Sequence, residues 1–140
     1  MPTDPEWGLH TDGSEGDKAY LYGAEYEFYS VKDSRKSLED HDVPCAVCKV
    51  NKRSSIMMLP ARKNCYGGWN KEYQGYLIAG RYDNQRASQY ICLDEYPISL
   101  PGGYKNQNGY LFFPVEGRCG SLPCPPYVEG RELTCVVCSQ

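Results

Sequence analysis

Apolar and polar positions alternate in short runs along this chain, and Gly, Pro and Asn interrupt the runs repeatedly. Residues 19–29 are rich in Tyr, Phe and Ala with partial alternation and predict a strand. Residues 54–60 predict a short apolar strand stopped by Pro60, and residues 73–80, 90–93, 109–116 and 133–138 predict four more. Between them, residues 65–69, 101–104 and 106–109 read as turns, and residues 119–126 as a Cys- and Pro-rich loop. Residues 31–43 are charged and predict a long exposed loop with room for one helical turn. No segment holds a 3.6-residue period over three turns. The expectation is therefore an all-β, disulfide-rich fold of short strands.

Composition narrows this picture. At 140 residues the chain is one domain's worth, with a modest core. Its net charge of −3 gives no general attraction to nucleic acid or anionic membranes, and no apolar run is long enough to span a bilayer. Thirteen Tyr against three Phe suit half-wet strands, where a ring packs and its hydroxyl stays near water. Eight Cys (45, 48, 65, 92, 119, 124, 135 and 138) leave two readings, disulfides in an oxidising compartment or thiolate–metal chemistry in a reducing one. The first residues carry no charged region followed by an apolar one, so a secreted chain would have its signal peptide outside this sequence.

Shifting the chain by 90 residues against itself gives eight identities over fifty positions. They include Tyr20-Leu21 on Tyr110-Leu111 and Cys45-Ala-Val-Cys48 on Cys135-Val-Val-Cys138. This suggests a tandem duplication packed as one domain. Residues 1–52 would be the back half of a first β unit that is N-terminally incomplete, and residues 53–140 a complete second unit. The first unit's equivalents of Cys65 and Cys92 would lie before Met1.

Two Cys-x-x-Cys pairs could make a four-thiolate zinc site. Their β-branched, strand-like context speaks against it, as do four further Cys that such a site leaves over. A redox Cys-x-x-Cys opens a helix, and Cys138 stands too near the chain end for one to follow. Cysteines within strands, with Cys-rich loops between, fit a disulfide framework. Six Cys still permit fifteen connectivities.

The order Cys65-Tyr-Gly-Gly-Trp69, Tyr73-Gln-Gly-Tyr-Leu77, Cys92-Leu-Asp-Glu-Tyr96, Cys119…Cys124 and Cys135-Val-Val-Cys138 is similar to the C-terminal noncollagenous domain of type IV collagen. Over essentially its whole length the chain more closely resembles the C-terminal domains of spongin-like short-chain collagens and related invertebrate secreted proteins. The stretches that carry this are Asp4-Pro-Glu-Trp7, Tyr22-Gly-Ala-Glu-Tyr26, His41-Asp-Val-Pro-Cys-Ala-Val-Cys48, residues 113–124 and residues 130–138. The resemblance implies the pairs Cys65–Cys138, Cys92–Cys135 and Cys119–Cys124. It leaves Cys45 and Cys48 without partners, so they are free, joined to each other, or paired with another chain. It also implies secretion to the extracellular space, no enzyme activity, no cofactor, and a structural role in matrix assembly or adhesion. The partners would be matrix proteins or further copies in a homo-oligomer.

Other constellations are weaker. Asp40-His41-Asp42 reads as a solvated charge run, and His10 is the only other histidine. The chain lacks the motifs of a nucleophilic triad, a phosphate loop or a zinc protease. The acidic Gly-rich residues 12–17 could offer oxygens to calcium but fail the EF-hand spacing. Trp69, Tyr73, Arg81, Asp83, Asn84 and Arg86, with Tyr76 and Tyr90, could make a glycan site by stacking and planar hydrogen bonding. That gives the alternative function, a secreted lectin-like module. The plainer reading puts Trp69 and Tyr76 in the β core and makes residues 81–88 a polar turn.

Overall fold

A computed structural model of the chain describes residues 5–9, 12, 21–83 and 89–140. His10, residues 13–17 of the acidic loop, Asn84 and Arg86 lie outside the described residues. Among the described residues six strands form one mixed sheet: β1 (Ala24–Tyr26), β2 (Ile56–Pro60), β3 (Asn70–Ala79), β4 (Ile91–Asp94), β5 (Tyr110–Pro114) and β6 (Thr134–Ser139). The strand order is β1-β5-β3-β6-β2, and β4 pairs with β3 off this path. The β1–β5 pair is parallel and the others are antiparallel. The fold is all-β and disulfide-rich. Among the described residues no helix is long and apolar enough to cross a membrane.

β3 is the spine. β6 pairs with it from Asn70 to Tyr76 along one edge, and β5 continues that edge at Ile78 and Ala79. β4 takes the other edge from Gly75 to Ile78. Neighbouring strand residues point to opposite faces, so Leu77 and Ile78 serve different cores. Ile78 packs with Tyr26, Phe28, Val31, Leu93 and Phe112. Leu77 packs with Cys92 and Cys135, flanked by Met58, Val115, Leu133 and Val137.

The three disulfides are Cys65–Cys138, Cys92–Cys135 and Cys119–Cys124. The second one reaches across β3. Cys92 stands opposite Leu77 on β4 and Cys135 opposite Gly75 on β6. In a flat sheet, strands on either side of a third are about 9.6 Å apart. Here the two Cα atoms are 5.7 Å apart, so the sheet curls around β3. Gly75 permits the curl, because a Cβ there would collide with the backbone of residues 93–95.

Two sequence expectations are corrected. Residues 31–43 hold the one helical turn allowed for, a 3-10 helix at Ser34–Leu38, but they are not exposed throughout: Val31 and Arg35 are buried. Asp33 caps this helix by accepting from the Arg35 backbone N–H at 2.9 Å. The Arg35 guanidinium pairs with Asp33 at 2.7 Å and Glu132 at 2.6 Å, and sits 3.7 Å over the Tyr76 ring. Desolvation works against its charge, but these carboxylates more than offset it and hold its pKa above the ordinary value. This clasp fastens the segment ahead of residue 52 to β3 and to the start of β6.

The second correction concerns Cys45-Ala-Val-Cys48. It belongs to no strand, while Cys135-Val-Val-Cys138 lies in β6 between β2 and β3. The same β-prone composition yields a strand only where ladder partners exist. Both sulfurs of Cys135 and Cys138 are in disulfides, so the four-thiolate zinc arrangement does not form.

Candidate functional site

Among the described residues there is an apolar groove of about 1150 Å³, partly open to solvent. Its floor is the exposed side of the first core: Tyr26 from β1, Phe112 from β5, Ile78 from β3 and Leu93 from β4. One wall is built from residues 21–24 and 43–48, the other from β4 and residues 96–98. The first wall is held by backbone bonds from Val43 N–H to Ala24 C=O at 2.9 Å and from Tyr26 N–H to His41 C=O at 3.0 Å. The far wall is tied across 72 residues by the Tyr26 hydroxyl, which donates to Ile98 C=O at 3.0 Å. Leu21, Tyr96 and Ile98 are largely exposed at the rim.

The polar side chains of the described lining are five tyrosines (Tyr22, Tyr26, Tyr73, Tyr96 and Tyr110), Asp94 and the thiols of Cys45 and Cys48. The Tyr26 hydroxyl is pushed up to about 12, first by burial and then by the neighbouring Cys45. Tyr73 donates its hydroxyl to Cys92 C=O at 3.0 Å. Its pKa is raised by burial, then by Asp94 and Cys48. Both phenols are neutral donors at ordinary pH and already bonded, so neither is a base or nucleophile. Asp94 is the carboxylate in the lining. Cys45 and Cys48 are free, exposed thiols on the wall, Cys45 beside Tyr26 and Cys48 beside Tyr73. The arrangement can bind apolar surface and carry out thiol chemistry.

The described residues singled out as a glycan site do not all come together. Trp69 precedes β3 and Arg81 follows it, so about 30 Å of strand separates them. Arg81 pairs with Asp83 at 3.2 Å on the exposed turn, and Trp69 is half-buried beside the Cys65–Cys138 staple. Of that set only Tyr73 lines the groove. Tyr76 is engaged under Arg35, and Tyr90 is exposed.

His41 donates from Nδ1 to Glu39 C=O at 2.7 Å, so it is part of the loop's own framework. The carboxylates of Glu27, Glu39 and Asp40 gather within 4.8 Å of one another, away from the groove, and offer oxygens of the kind a hard cation takes. Glu39 also accepts from the Phe28 backbone N–H. The sequence reading missed the groove because its walls come from residues 21–24, 43–48 and 91–98. The available signal was the cluster of Tyr, Pro and Ile at residues 96–98, too apolar for a plain turn.

Comparison of the chain with family models, curated proteins and solved structures finds no match.

Proposed function

We propose that this chain is a secreted, non-catalytic domain that assembles or adheres within the extracellular matrix through protein contacts. The observation that carries this reading is the groove: an open apolar trough whose rim exposes Leu21, Tyr96 and Ile98. Contiguous exposed apolar surface of this kind marks contact with another macromolecule. Of its tyrosines, Tyr26 and Tyr73 already donate their hydroxyls within the chain. Three disulfides are compatible with an oxidising compartment and staple a small core. The resemblance to the C-terminal domains of short-chain collagens, noted from the sequence, points the same way.

The test is secretion of the domain, behind an added signal peptide, by cultured cells that lay down matrix. The fraction held in the detergent-insoluble layer is then measured. Retention is expected, and Ile98→Asp, which puts a charge on the apolar rim, should reduce it about tenfold. Ile98 is exposed, so that substitution spares the core. A wild-type domain that stays wholly in the medium, or an Ile98→Asp domain retained equally well, would overturn the reading. Retention released by a free sugar would make the domain a glycan binder instead.

A further inference from the structure

We infer that the groove is filled by a second copy of this chain, with residues 44–48 of each copy lying in the other's groove across a two-fold axis. The covalent step described below rests on the extracellular reading above; the docking itself does not.

The lining specifies the occupant. With one carboxylate, Asp94, among apolar walls, the groove suits an uncharged apolar segment. The thiols on its wall suit a segment that brings cysteine. This chain carries such a segment in Pro44-Cys-Ala-Val-Cys48. It has no charge and belongs to no strand or helix. It also borders the groove. Pro44, Cys45, Ala46 and Cys48 line the wall, while Val47 projects away with its side chain 100% exposed.

Each copy therefore offers a ridge and a trough side by side. Two copies facing each other satisfy both, and such an isologous contact closes after one pairing. The exposed side chains around the groove, Leu21, Tyr22, Val47, Ile91, Tyr96 and Ile98, amount to on the order of 700 Å² per copy. That approaches the roughly 800 Å² per partner of a standard interface.

The same geometry sets thiols of one copy against thiols of the other. A low-molecular-weight disulfide such as oxidised glutathione supplies the oxidant. The Cys45 or Cys48 thiolate of one copy attacks the glutathione S–S bond. A protein–glutathione disulfide forms and one glutathione thiolate leaves. A thiolate of the second copy then attacks the protein sulfur, forming the interchain bond and releasing the second glutathione. Two protein thiols are oxidised and one glutathione disulfide is reduced to two thiols.

Light scattering on the purified chain, with its three disulfides intact, tests the docking. Dimers are expected to form as concentration rises. Val47→Asp should weaken them at least about tenfold and Val47→Ile should keep them. Because Val47 is fully exposed, its aspartate variant should fold, and an unchanged disulfide map and circular dichroism spectrum check that. A wild-type chain that stays monomeric, or a Val47→Asp chain that dimerises equally well, overturns the proposal. With oxidised glutathione, a dimer band on a non-reducing gel should yield a linked peptide containing residue 45 or 48. The Cys45→Ser/Cys48→Ser chain should lose the band but keep the reversible dimer. A map showing only a Cys45–Cys48 ring within each chain overturns the covalent step. A monomer that still enters the matrix overturns self-docking and leaves the assembly reading standing. A dimer that stays in the medium does the reverse.

Discussion

Arg35→Met tests how the first third of the chain is fastened to the sheet. Arg35 is 5% exposed, with its guanidinium on Asp33, Glu132 and the face of Tyr76. Methionine keeps most of the stem's packing and removes the charge. Removing one partner of a fully buried pair costs about 3 to 5 kcal/mol, because the survivor stays buried and uncompensated. Here the surviving side chains are 48% exposed at Asp33 and 31% at Glu132, so both recover much of their hydration. In addition, Nη1 is buried without a hydrogen-bond partner among the described residues, so wild type already bears part of the desolvation cost. The stacking over Tyr76 adds about 1 to 2 kcal/mol in a desolvated setting. The net expectation is a loss of about 2 to 4 kcal/mol. That corresponds to a fall of roughly 6 to 12 °C in Tm for a chain this size. Denaturant melts under non-reducing conditions measure it. A double-mutant cycle with Glu132→Gln should return a coupling of about 1 kcal/mol or more. An Arg35→Met chain within about 0.5 kcal/mol of wild type, or a coupling near zero, would refute the clasp.

Two further outcomes follow from the same structure. The loops closed by the disulfides span 73, 43 and 5 residues. On the chain-entropy model, removing them as Cys→Ala pairs should therefore cost about 4, 4 and 2 kcal/mol. Chemical denaturation of the three double variants checks the order, and a Cys119–Cys124 deletion that proves the costliest would contradict it. Glu27 is held up at about 7 from 4.5, first by burial and then by the charges of Glu39 and Asp40. A carboxyl raised in the folded state favours folding below its unfolded pKa, and that contribution is lost as pH rises through 7. Glu27→Gln should therefore stabilise the chain at pH 8, by about 1 to 2 kcal/mol after allowance for its contact with water, and should change little at pH 4. Equal melts of the two chains at pH 8 would refute this.

What the sequence made legible follows from what is local. Alternation over residues 73–80 and 133–138 reports one strand at a time, and β3 and β6 form close to those bounds. The composition of 31–43 reports charge but not where the charge goes. Arg35 is buried only because Glu132 and Tyr76, far along the chain, come to meet it. Residues 45–48 read as strand because strand propensity is written in side chains. A ladder needs a second edge, and β6 has β2 and β3 where 45–48 has no pairing strand. The groove lies deepest in three-dimensional space. Its floor is made by core residues themselves, Tyr26, Ile78, Leu93 and Phe112, and its rim joins segments that meet only once Tyr26 reaches Ile98. The tight curl of the sheet at Gly75 turns β4, still paired with β3, into a wall of the groove. This ties the shape of the groove to the disulfide that holds the curl, Cys92–Cys135, because Cys92 is at once a member of the staple and of the lining.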